Sequence, residues 1–87
     1  MLFRINTPHD ILKSTLCENE DIFIYDELHG VAVTVENING KKMYYVLVYL
    51  PSSTVWTIID IQATDEHGAQ IMYNCAVSAV KRCQAIT

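Results

Sequence analysis

Three histidines, ten carboxylates and three cysteines are the side chains with which this 87-residue chain could do chemistry. A histidine beside an acid is the usual general acid–base pair, and His9-Asp10 and Glu66-His67 are adjacent in the sequence. Neighbours on a helix point about 100° apart, however, so neither pair is a dyad by spacing. His9 and His67 both fall in predicted first helical turns, where the positive end of the dipole opposes protonation. Histidines and cysteines with ligand spacing would bind zinc, but Cys17, Cys75 and Cys83 form no C-x-x-C and no histidine pair is spaced i, i+4. Neither a metal nor an organic cofactor is expected. Cys75 and Cys83 lie eight residues apart on a predicted helix, about 12 Å along its axis at ~1.5 Å per residue. That exceeds the span of a disulfide. The cysteines therefore read as small core residues, free thiols of a reducing cytoplasm.

Composition narrows the classes further. With 51% hydrophobic residues the chain is globular, and residues 1–87 form one domain. The net charge of −4, with only six Lys and Arg, argues against direct binding of nucleic acid, whose phosphates call for a basic patch. Lys41-Lys42 sits at a hairpin tip and Lys81-Arg82 near a helix end. Acids gather instead in 18–27, at Glu18, Glu20, Asp21, Asp26 and Glu27. Such a run either attracts a basic partner surface or is a solvated strand edge. The start, Met1-Leu2-Phe3-Arg4-Ile5, lacks the basic and long apolar regions of a signal peptide. The longest apolar run, 43–50, is too short to cross a bilayer.

These groups must be positioned by local structure. Residues 2–5 suit a short strand. Thr7-Pro8-His9-Asp10 is a helix start, with Thr7 as N-cap, Pro8 in the first turn and Asp10 closing a capping box, opening a helix near 8–18. Period-two alternation predicts strands at 21–26, 31–36, 42–50 and 54–61. Asn39-Gly40 is the signature of a type I′ hairpin turn, and Pro51-Ser52-Ser53 makes a second turn. A last helix spans 65–83, capped by Thr64, with Lys81 and Arg82 in its last turn. The order is β-α-β-β-β-β-α, an α+β domain with a four-stranded antiparallel meander over 22–61 and helices packed on it.

Pairing about the two turns gives a register. Val35, Val33 and Val31 oppose Tyr44, Val46 and Val48, which in turn oppose Asp60, Ile58 and Trp56; Ile22 and Ile24 extend this row, and the face is core. The other face carries Phe23, Tyr25, Met43, Tyr45 and Tyr49 with Thr34, Thr57 and Ile59. Tyr and Met among threonines are interface composition, although the first strand and helix are equally able to cover this face. The last helix is apolar around well over half its girth, with a polar stripe of His67, Gln70, Asn74, Ser78 and Lys81. It lies either between the sheet and the first helix or at a subunit contact. Spare apolar surface on a small body points to a homodimer.

The element order is similar to that of the double-stranded-RNA-binding domain, whose binding surface includes a lysine-rich start to the final helix. Here that place holds Asp65-Glu66-His67, of the opposite charge. The function expected is therefore non-enzymatic: a cytoplasmic protein that occupies the surface of a protein target, as an inhibitor or accessory factor. Small acidic proteins of phage and mobile elements that counter host defences have this character. The expected contact residues are Phe23, Tyr25, Met43, Tyr45 and Tyr49, with the acids of 18–27. The alternatives are a nucleic-acid-associated regulator using the sheet aromatics, or a small hydrolase using a histidine and an acid.

Overall fold

The Asn39-Gly40 turn sits where its sequence requires, with φ of 53° and 82°, and Asn37 closes it by accepting the Gly40 N–H at 3.1 Å. It joins β2 (Val31–Ile38) to β3 (Lys41–Leu50) in a computed structural model that describes residues 7–62 and 65–86. β1 (Glu20–Asp26) flanks β2 and β4 (Val55–Gln62) flanks β3, so the sheet is antiparallel in the order β1-β2-β3-β4. α1 (Pro8–Ser14) precedes the sheet and α2 (Glu66–Ile86) follows it. The α+β architecture agrees with the sequence pattern. The strand expected at 2–5 and the cap expected at Thr64 lie outside the described residues. Within them, no helix is long and apolar enough to cross a membrane.

The two helices lie on opposite faces of the sheet. α2 packs over β2 and β3, where Ala69, Met72 and Ala76 meet Val31, Val33, Tyr44 and Val46. The alanines let the helix approach the β-branched rows closely. Asp65 caps this helix by accepting the Gly68 N–H at 2.8 Å. Because the helix continues to Ile86, Lys81 and Arg82 stand before its final turn, and its polar stripe faces solvent. α1 has the expected capping box between Thr7 and Asp10 but is shorter than expected, ending at Ser14. It drives Leu12, fully buried, against Ala32 and Leu47, and Trp56 Nε1 donates to the Pro8 carbonyl at 2.8 Å. α2 is therefore not sandwiched between sheet and α1.

The β2–β3 register matches the sequence reading residue for residue, with Val31, Val33 and Val35 opposite Val48, Val46 and Tyr44. The β3–β4 register does not. The loop holds four residues, 51–54, with Thr54 in the left-handed region at φ 53°, so Leu50 pairs with Val55 and Tyr49 with Trp56. One extra loop residue moves Trp56 and Ile58 to the α1 side and Thr57 and Ile59 to the α2 side. A bulge at Ile59 then restores Asp60 to the row of Val46, as expected for its face. A second bulge, at Phe23, exchanges Ile22 and Phe23: Ile22 joins Thr34 on the α1 side, and Phe23 packs edge-on to Tyr44 in the α2-side core at 5.4 Å. The cysteines, expected in the core, are all exposed.

Two consequences can be measured. A β-branched residue held at positive φ is strained by roughly 1–2 kcal/mol, which glycine avoids. Thr54→Gly should thus raise the denaturant midpoint; an unchanged or lower midpoint would contradict the left-handed loop. The Tyr25 hydroxyl is buried without a hydrogen-bond partner among the described residues. Tyr25→Phe is accordingly expected to leave stability unchanged or raise it by about 1 kcal/mol, and a loss of similar size would mean the hydroxyl is satisfied in solution.

Candidate functional site

On the α1 side the sheet is only partly covered, and beyond α1 it opens into a cup of about 310 Å³. Thr34, Leu47, Trp56 and Ile58 form the apolar part, and Glu20, Glu36 and Tyr45 the polar rim, with Thr15 and Leu16 completing the wall. β2 and β3 position the rim. Thr34 stands opposite Tyr45 and Glu36 opposite Met43, which brings the Tyr45 hydroxyl onto the Glu36 carboxylate to donate a short hydrogen bond. Asn19 Nδ2 donates to Glu36 at 3.4 Å and to the Asn37 carbonyl at 3.2 Å, fixing the β1 entry. Glu20 accepts the Cys17 N–H at 3.0 Å.

The electrostatic setting opposes ionisation of the phenol at the rim and of the thiol near Glu20. The hydrogen bond to Glu36, then burial, pushes the Tyr45 phenol above its ordinary pKa. The hydrogen bond and negative charge of Glu20 likewise push the Cys17 thiol up, away from the reactive thiolate. An apolar floor with an anionic rim is instead complementary to a cation carried on an aliphatic stem, such as a lysine or arginine side chain.

Of the residues singled out from the sequence, Tyr45 and Glu20 meet at this cup. Tyr49 and Tyr25 share its face, both in contact with Trp56, with ring centroids at 5.3 Å and 6.0 Å; His9 of α1 stands edge-on to Tyr25 at 4.8 Å. Met43 lies on the same face toward the Asn39-Gly40 end, in a smaller cleft with Ile38, Lys41 and Lys42. Phe23 is on the opposite face for the reason given above. Glu18, Asp21 and Glu27 are exposed in turns or on the edge of β1. The sequence register places Glu36 on this face without singling it out, and it places Trp56 on the other face. Glu36 was legible as the acid one pleat from Tyr45, whereas Trp56 depended on the loop length.

Asp26 does something different from its acidic neighbours. Its carboxylate accepts the Tyr73 hydroxyl at 2.6 Å, His29 Nδ1 at 2.7 Å and the His29 N–H at 3.1 Å. Burial alone would raise its pKa, but the hydrogen bonds from Tyr73 and His29 outweigh it and hold the carboxyl below the ordinary value. This is a histidine–acid pair three residues apart, closed by the turn between β1 and β2. Hydrolysis would also need an activated nucleophile, and the hydroxyl that shares the carboxylate, Tyr73, is pushed up by its bond to Asp26. The cluster ties the β1–β2 turn to α2 across the sheet. Among the described residues, no group of three or more His, Cys, Asp or Glu is placed to hold a metal ion.

On the other face, α2 sits over β2 and β3 and leaves β4 bare. The result is a trough of about 500 Å³ between Val48, Leu50, Thr57 and Ile59 of the sheet and Ala76, Ala79, Val80 and Cys83 of α2. Its lining offers no charged group.

The Asp26 cluster has a pH signature. A carboxyl with a depressed native pKa contributes stability that is present above its unfolded pKa and lost as pH falls through the native one. Tyr73→Phe removes one hydrogen bond to a charged acceptor and should cost about 1.5–3 kcal/mol at pH 7. The gap from wild type should shrink as the pH falls below the ordinary carboxylate range, and urea unfolding at several pH values reads it. A gap of constant size would separate Tyr73 from the charge of Asp26. Comparison of the chain with known protein families, curated proteins and solved structures finds no match.

Proposed function

We propose that this protein acts without catalysis, by binding a protein target that presents a basic side chain to the α1-side cup, as an inhibitor or accessory factor of the phage or mobile-element kind. The supporting observation is the meeting of Tyr45, Glu20 and Glu36 over an apolar floor that includes Trp56. A rigid ring beside carboxylates at the rim of a small concave site with an apolar floor is suited to anchoring arginine or lysine. The exposed acids Glu18, Asp21 and Glu27 add negative charge along the β1 side of the molecule and would speed the approach of a basic partner. The pairing of Glu36 with Tyr45 also orients the anion before any partner arrives, which lowers the ordering cost of binding.

Tyr45→Ala with Tyr49→Ala should weaken capture of the target from the native host's lysate by about 2 kcal/mol or more, roughly a thirtyfold loss of affinity. Reversing Glu18, Asp21 and Glu27 to lysine should chiefly slow association and change its salt dependence. Alanine at His9, His29 or His67 should leave capture intact. If one histidine replacement abolishes the biological effect while the target is still captured at full strength, the protein is an enzyme and this reading is wrong.

A further inference from the structure

The two margins of the sheet differ. β1 is an edge protected by Glu20, Asp21 and Asp26 and by its own bulge. β4 carries Val55, Trp56, Thr57, Ile58 and Ile59 in succession, with neither proline nor lysine among them, and no described strand pairs with its outer side. Val55, Ile58 and Ile59 are 45%, 49% and 53% exposed. A long apolar edge of this kind is a template for a further strand. We infer that two copies of the chain pair antiparallel through β4, across a two-fold axis at Thr57, to make one continuous eight-stranded sheet.

The register follows from the faces and the hydrogen-bond alternation. Residues opposite one another in an antiparallel pair share a face. Centring the axis on Thr57 sets Val55 against Ile59 of the partner, both on the α2 side, and Trp56 against Ile58 of the partner, both on the α1 side. Centring it on Ile58 would oppose Trp56 to Asp60, which the Ile59 bulge has moved to the other face. The two-residue Asn39-Gly40 turn makes Ile38 and Lys41 a hydrogen-bonded pair, and alternation from there turns Val48 and Leu50 toward Thr57 and Val55. Trp56 and Ile58 thus turn their N–H and C=O groups away from β3, and the Thr57 axis places these two residues opposite each other as a hydrogen-bonded pair.

Area supports the same conclusion. Centred on Thr57, the paired ribbon runs over residues 55–59 of each copy, about 17 Å at ~3.3 Å per residue. A ribbon of that length alone falls short of the ~800 Å² that each partner of a stable complex buries. An axis perpendicular to the sheet leaves both α2 helices on one face, so their apolar troughs adjoin over the new centre and add to the area buried. A small-molecule site would need convergent polar groups, and this trough offers only the Thr57 hydroxyl and the Cys83 thiol.

The experiment uses the full chain with Cys17, Cys75 and Cys83 replaced by serine. Equilibrium sedimentation at micromolar concentration should give twice the 9.9 kDa chain mass. In an antiparallel sheet, a non-hydrogen-bonded pair has Cα atoms about 4.5 Å apart, within disulfide range. Thr57→Cys should therefore cross-link to a dimer under mild oxidation, whereas Leu28→Cys, on an exposed turn, should not. Ile58→Pro removes an outward N–H that β3 does not use and should give a folded monomer, its circular dichroism retained. A wild-type mass of 9.9 kDa overturns the inference, as does a dimer that Thr57→Cys fails to cross-link. If the chain's own residues 2–5 occupied this edge, the protein would be monomeric and Ile58→Pro would lower its thermal midpoint. The inference does not rest on the target-binding reading: Tyr45→Ala with Tyr49→Ala leaves β4 untouched and should sediment as a dimer.

Discussion

The constraint on which this fold depends is the two-residue turn at Asn39-Gly40. Its left-handed pair of residues leaves one way to zip β2 against β3, and that register divides the central strands into two rows. Val31, Val33, Tyr44 and Val46 go to α2, and Ala32 and Leu47 go to α1. Slipping the pairing by one residue would mix these rows, setting either Tyr45 and Leu47 beside the valines of β2 or Ala32 and Thr34 beside Tyr44 and Val46. The rest is decoration upon this hairpin: α2 covers the row of valines, α1 covers Ala32, and the outer strands follow.

That hierarchy explains which parts were legible in the sequence. In β2 one face is clearly the more apolar, and the turn chemistry is explicit, so pattern and turn agree. In Ile22-Phe23-Ile24-Tyr25 and in 55–61 both faces are apolar, so alternation has no vote and a bulge leaves no mark. The four-residue loop was hidden for a related reason. Pro51-Ser52-Ser53 announces a turn without fixing its length, and a threonine at positive φ is not what turn statistics suggest. The cup inherits these errors. Tyr45 and Glu20 were recognised from composition and position, while Trp56 was assigned to the wrong side because its register was. The cysteines were placed in the core by residue type alone; the exposure of Cys75 and Cys83 reflects the narrow footprint of α2 on the sheet, and Cys17 lies in the exposed segment between α1 and β1.

The faces also divide the work of holding the molecule together. The α2 side is dry and built from branched side chains. The α1 side relies on directional contacts: the Trp56 indole on the Pro8 carbonyl, the capping box of α1, and the Tyr45 phenol on Glu36. Between them Asp26 reaches through the hinge of the first hairpin to Tyr73 and fixes the azimuth of α2. A helix of 21 residues resting on two strands needs such a tether, because apolar contact sets its distance from the sheet but resists rotation poorly.

The acidic, bulged margin of β1 has a consequence for stoichiometry. Any assembly that grows by adding strands must eventually present this margin, and two such margins repel each other along Glu20, Asp21 and Asp26 while the bulge interrupts a straight ladder. The sheet therefore has a terminus written into one side. A chain this rich in β-branched residues is at risk of open-ended polymerisation, and the carboxylates at residues 20–26 oppose the addition of a further strand at this margin.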